Sequence, residues 1–163
     1  MEVRSVEAVV KALNDADVQY LIVGGLAVNA HGYVRITRDI DLVLRLQPEN
    51  CAKGLRALMK IGYQLAIPVT PESFSDPITR DSWRKDKNMI VLKLWSDDHR
   101  RTPVDVFVYE PFDFEKELPQ ASEKEVCAGV TARVVSLPTL LKMKKDAGRS
   151  QDLIDITELT RLP

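Results

Sequence analysis

The run Ile22-Val23-Gly24-Gly25-Leu26-Ala27, followed by Arg38-Asp39-Ile40-Asp41-Leu42, constrains this chain more than any other feature in it. An apolar run closed by two glycines reads as a buried strand ending at a tight turn. Thirteen residues separate Gly25 from Asp39, which leaves room for one short helix and a turn before a second apolar strand. Alternate residues of a strand face the same side, so Asp39 and Asp41 project together while Ile40 and Leu42 point into the core. Two carboxylates on one face with apolar neighbours repel each other and are costly to desolvate. A divalent cation relieves both problems, and the adjacent glycine turn lets a phosphate chain approach backbone N–H groups.

A length of 163 residues suits one domain with its own core, and 45% hydrophobic and 29% charged residues are the proportions of an ordinary globule. The net charge of −1 supplies no global field toward nucleic acid or membrane. Cys51 and Cys127 are far apart and have no CxxC partner, so neither a zinc site nor a disulfide framework is expected. No apolar stretch approaches the roughly 18 residues of a membrane span. Met1-Glu2-Val3-Arg4 lacks a signal-peptide core. A cytoplasmic protein without membrane contact is the expectation.

Apolar spacing predicts a helix from Ser5 to Asn14-Asp15, a strand over Val18 to Val23, and a short helix stopping near His31-Gly32. A strand over Ile40 to Leu46 and a helix from Pro48 to about Lys60 come next, with Gly62 ending the latter. Tyr63 to Val69 suggests a third strand, and Thr70 to Lys87 a long polar loop or ragged helix. Met89 to Trp95 and Val104 to Tyr109 read as strands joined by a polar hairpin connection. Val126 to Val135 alternates around Gly129 and adds edge strands. Helices from Pro138 and over Gln151 to Leu162 make 137–163 a C-terminal helical segment of a single domain, 1–163. The fold class expected is α+β, a mixed sheet flanked by helices with the C-terminal helices packed on the core.

Asp105, in Pro103-Val104-Asp105-Val106-Phe107, repeats the oddity of Asp41: a charge between apolar residues of a strand. If its strand neighbours that of Asp41, three carboxylates converge on one sheet edge. Two cations roughly 3.5–4 Å apart then have a place to clamp a displacement at phosphorus. The blander alternative has Asp105 at an exposed position and Asp39 paired with Arg35 or Arg38. Those two arginines precede the first carboxylate, where they either neutralise triphosphate charge or screen the acids. Arg80, Arg84, Lys85 and Lys87 surround Trp83, but Asp76, Asp81 and Asp86 interrupt them, which favours a solvated loop over a nucleic-acid surface. His31, at a helix end, is expected to be satisfied by the helix's last carbonyls, and His99 has no evident partner.

These residues resemble the nucleotidyltransferases of the polymerase-beta type: Val23-Gly24-Gly25, then Asp39-Ile40-Asp41-Leu42, then Asp105 on a later strand. More closely, Gly24-Gly25-Leu26-Ala27 with His31-Gly32, Arg35 and Thr37-Arg38-Asp39-Ile40-Asp41 is similar to the minimal nucleotidyltransferases of abortive-infection toxin–antitoxin pairs. Lys144, Ala147-Gly148-Arg149, Asp152 and Asp155 resemble that family's closing helices. The resemblance implies transfer of a nucleoside monophosphate from a triphosphate such as ATP to an acceptor hydroxyl, with magnesium or manganese and release of pyrophosphate. It implies that Gly24 and Gly25 cradle phosphates, that Asp39, Asp41 and Asp105 ligate metal, that Asp105 is also the base, and that Lys144 reaches a phosphate. The implied acceptor is RNA or protein, with an antitoxin or a second copy of the chain as partner. A small antibiotic-like acceptor and a catalytically silent nucleotide-binding or partner-binding module are the alternatives. Gly25 departs from the serine of many active members, which removes a hydroxyl contact to phosphate.

Overall fold

The computed structural model describes residues 1–162. Seven strands form one mixed sheet in the order β3-β4-β5-β2-β1-β7-β6. At its centre, β1 (Tyr20–Val23) runs antiparallel to β2 (Ile40–Leu44), which runs parallel to β5 (Val104–Phe107). Outward from β5 come β4 (Val91–Trp95) and β3 (Gln64–Leu65), each antiparallel to its neighbour. On the other side β7 (Val130–Val134) joins β1 in parallel, and β6 (Ser122–Cys127) pairs antiparallel with it as the outer strand.

All four residues of β1 are buried, as a strand covered on both faces requires. One cover is α1 (Val3–Asp15), which buries Val6, Val9, Val10 and Leu13, together with α3 (Pro48–Lys60). Gly54 of α3 lies so close to Leu44 that a Cβ there would sit 2.9 Å from Leu44 Cδ1. This cover therefore rests on the Leu42–Leu44 face of β2. The opposite face, which carries Asp41, is covered by α2 (Gly24–Ala30), α7 (Leu137–Ala147) and, behind them, α8 (Ser150–Arg161). Gly148, with φ +64°, closes α7 in the left-handed conformation and turns the chain into α8. The final residue of the expected C-terminal segment, Pro163, lies outside the described residues.

Three local expectations are corrected. Thr70 to Lys87 is neither loop nor ragged: it forms α4 (Pro71–Ser75) and α5 (Pro77–Asp86), capped by Thr70 and Asp76 with proline in the first turn of each. The prolines that read as loop punctuation are helix starters, because proline's missing N–H costs nothing there. The third strand shrinks to two residues, since Pro68 brings no ladder donor on this edge. Gly24 and Gly25 are not a free turn but the opening residues of α2. A short α6 (Phe114–Glu117) links β5 to the β6–β7 hairpin, and buried Glu117 accepts from Ser136 N–H and the Thr139 hydroxyl.

Candidate active site

One row of residues crosses four strands. Register places Val23 opposite Asp41, Asp41 opposite Asp105, and Asp105 opposite Lys93. Directly opposed residues share a face of the sheet, so Asp41, Asp105 and Lys93 project toward the side covered by α2 and α7. The row floors a cavity of about 730 Å³. Gly24, Lys144 and Arg149 line the same cavity, as do Phe107, Tyr109 and Met143.

Gly24 has φ +64°, and a Cβ there would fall 1.9 Å from Asp41 Oδ2. Only glycine lets the carboxylate lie against the start of α2, where the backbone of Gly25 favours its charged form slightly. Burial, followed by the charges of Asp105 and Asp39, pushes the Asp41 carboxyl up to about 7. Burial also raises Asp105, while the Lys93 ammonium pulls it partly back. Lys93 Nζ lies 3.1 Å from Asp105 Oδ2 and 3.5 Å from Oδ1. The charges of Asp39 and Asp41 reach the same ammonium and join Asp105 in raising its pKa. Gly25 is explained by Thr37: a Cβ at position 25 would sit 2.1 Å from Thr37 Oγ1 and 2.7 Å from its Cβ. The threonine occupies the space a serine would need.

The C-terminal helices bring a buried charge network to the cavity rim. Lys144 Nζ donates to Asp152 and to Asp155, both at 2.9 Å, and all three side chains are nearly inaccessible. An ammonium has three protons, so one is left over where Lys144 lines the cavity. Arg35 grips Asp155 with two N–H groups at 2.6 and 2.8 Å, and Arg149 holds Asp152 at 2.7 Å. Burial raises Asp155, but the hydrogen bonds from Arg35, Lys144 and Gln151 outweigh it and hold the group at about 2.

The structure thus brings Gly24, Asp41, Asp105 and Lys144 to one cavity. Asp39 sits one residue before β2, half-buried, close enough for its charge to act on Asp41 and Asp105 but off the cavity wall. Gly25 supports the site from behind, Arg38 is exposed away from it, and Arg35 serves the network. The basic cluster around Trp83 is built into α5: Arg80 is buried against the Phe74 carbonyl, and Arg84 stacks over the Tyr109 ring at 4.3 Å. His31 binds the Val135 carbonyl of the neighbouring segment rather than those of its own helix, and His99 meets the Ser5 hydroxyl and stacks on Tyr63. Sequence reasoning missed Lys93. Its signal was present, because in Met89-Ile90-Val91-Leu92-Lys93-Leu94-Trp95 it is the lone charge of an apolar strand.

Among the described residues, no three His, Cys, Asp or Glu side chains are grouped closely enough to hold an ion by themselves. The donors nevertheless suit magnesium or manganese. Such an ion takes one or two carboxylates and leaves its other positions to phosphate and water. Asp41 and Asp105 stand side by side on adjacent strands, hard oxygen donors whose mutual repulsion a divalent cation would relieve.

A family model described as aminoglycoside-2''-adenylyltransferase matches residues 5–77. None of the proteins of curated function matches the sequence significantly. Among solved structures, the lincosamide antibiotic adenylyltransferase LnuA, bound to lincomycin, superposes with a TM-score of 0.67 at 15% identity. That likeness covers 100% of this chain and 99% of LnuA. ANT(2")-Ia in complex with adenylyl-2"-tobramycin gives a TM-score of 0.58 at 15% identity, over 96% of this chain and 86% of that one. A Thermotoga maritima protein, provisionally assigned as a nucleotidyltransferase, also gives 0.58 at 15% identity, over 95% of this chain and 89% of its own. At such identity the likeness establishes the fold: this is the α+β architecture of the nucleotidyltransferases. Among the described residues, no helix is long and apolar enough to cross a membrane.

Proposed function

We propose that this protein transfers a nucleoside monophosphate from a nucleoside triphosphate to a hydroxyl of a small antibiotic-like acceptor. The observation that carries the reading is the in-register pair Asp41 and Asp105 beside the Gly24 opening of α2, on the floor of a cavity of about 730 Å³. Small-molecule sites span roughly 300–1,000 Å³, and the partial family match and the antibiotic adenylyltransferases of like fold point the same way. An RNA or protein acceptor, with an antitoxin as partner, is the second outcome of the experiment below.

In this reading the triphosphate lies along the start of α2, where backbone N–H groups and the free proton of Lys144 meet its oxygens. Asp41 and Asp105 would hold a divalent ion, whose charge would offset that of the phosphates. Asp39 stands behind them and adds its charge. The acceptor enters from the side of Phe107 and Tyr109. Its hydroxyl oxygen attacks the α-phosphorus as Asp105 takes the hydroxyl proton. The bond from that phosphorus to the bridging oxygen breaks, and pyrophosphate leaves. Lys144 and Arg149 balance the negative charge left on the departing group.

The test uses nucleoside triphosphates labelled at the α-phosphate, magnesium, a panel of aminoglycosides and lincosamides, and a cell extract. The expected result is label in a low-mass antibiotic product, lost in Asp41→Asn and Asp105→Asn. Label in RNA or protein would replace the small acceptor by a macromolecular one. Absence of label on any acceptor, with nucleotide still bound, would leave a silent module and end the proposal.

A further inference from the structure

We infer that Lys93 is a built-in counter-cation for the carboxylate row, one that a divalent ion must displace to bind. The inference rests on reading Asp41 and Asp105 as the metal-holding pair, and it adds a residue that sets how tightly they hold. Three observations carry it. Lys93 belongs to the same cross-strand row, directly opposite Asp105, so β4 delivers its stem to the acids rather than leaving it to chance. Its ammonium bonds Asp105 at 3.1 Å and lies within the fields of Asp39 and Asp41, answering three acids at once. Its side chain is 65% exposed while that of Asp105 is 10% exposed, so the cation can swing into solvent while the carboxylate stays in place.

Lysine suits this task. An ammonium is a compact point charge on a flexible stem, the nearest a side chain comes to a small cation, whereas a guanidinium would hold the carboxylate in a rigid fork. With the ammonium in place, repulsion within the row is partly cancelled, and an incoming dication meets a positive charge at the lip of its site. When the ion enters, the ammonium moves out over Val91 and the cavity mouth, where the phosphates of a nucleotide are its next natural partners.

The test measures Mn2+ alone, without nucleotide, on the full chain, by calorimetry or by the paramagnetic resonance of free Mn2+. Lys93→Met is expected to bind Mn2+ at least about fivefold more tightly than the wild type, because the ion no longer has to break the Lys93–Asp105 pair, worth about 1 kcal/mol for two unit charges about 4 Å apart in water. Lys93→Arg, which keeps the charge and grips the carboxylate in a fork, should bind Mn2+ no more tightly than the wild type. Lys93→Met should also melt earlier than the wild type in chelator and recover the difference when Mn2+ is added. Adding Asp105→Asn to Lys93→Met should abolish the tightening. Equal or weaker affinity in Lys93→Met overturns the inference, including the case in which neither protein binds. So does tightening that survives Asp105→Asn, which would put the ion elsewhere. The transfer assay on the wild type stands apart: a chain that transfers nothing yet shows the tightening loses the proposed function and keeps the counter-cation.

Discussion

Asp41 is the residue on which pH acts most directly. Its folded pKa of about 7 lies above the ordinary 3.8, because burial and the neighbouring acids favour the neutral form. Between those values the folded state binds the extra proton, so stability falls as pH rises through the window, and the full penalty is present above about 7. Asp41→Asn removes it. The variant is therefore expected to melt higher than the wild type at pH 8 in chelator, with a smaller gain at pH 5. The shift corresponds to at most about 4 kcal/mol. A gain independent of pH would assign the effect to something other than this carboxylate. Gly25 offers a second test at the same scale. Gly25→Ser, which restores the commoner motif residue, drives a Cβ into Thr37. It should cost about 1–3 kcal/mol, and Thr37→Gly in the same chain should recover most of it in a double-mutant cycle read by denaturant unfolding. The departure at position 25 is a packing decision shared by two residues, and a linear motif displays only one of them.

At the scale of elements, α7 and α8 are fastened to the rest by buried charge as well as by apolar contact. Leu140 and Leu159 are their fully buried apolar anchors, while Lys144, Asp152 and Asp155 are just as inaccessible. Removing one member of such a network strips its buried partners of a counter-charge, which costs about 3–5 kcal/mol. Asp155→Ala is thus expected to lower the unfolding free energy by that amount and to loosen α8 first, visible as faster amide exchange over Ser150–Arg161. The pH dependence has the opposite sign to that of Asp41. Asp155 is held at about 2, below its ordinary 3.8, so its contribution is complete above about 4 and disappears as pH falls toward 2. Elements with strong apolar periodicity, such as α1, α3 and β1, could be read from the chain, because burial of one face dictates that periodicity. Helices α4 and α5 were hidden by polar composition although Thr70-Pro71 and Asp76-Pro77 announced both starts. The start of β6, before Val126, was hidden because an outer strand with charged residues has no apolar alternation to display.

Across the whole molecule, the site exists because strand order sets Asp105 beside Asp41, with the entire segment from α3 to β4 between them in sequence. The oddity of each aspartate was legible locally, but their adjacency depended on which strands pair, and no local pattern encodes that. The same long-range assembly makes the cavity a joint product of the sheet floor, the α2 start and the α7–α8 cover, so a ligand spanning all three should stabilise the chain as a unit. A ligand that binds only the folded state at 100 times its dissociation constant adds about 2.7 kcal/mol. For a chain of this size each kcal/mol raises the melting temperature by about 2–4 °C. A non-hydrolysable triphosphate with magnesium is therefore expected to raise it by about 5–10 °C under those conditions. Either component alone should give less, because the phosphates complete the coordination of the ion and the ion screens the repulsion between phosphates and carboxylates. In Asp41→Asn/Asp105→Asn the triphosphate should stabilise equally with and without magnesium. Synergy that persists in that double variant would separate the ion from the carboxylate row and remove the basis for placing the chemistry there.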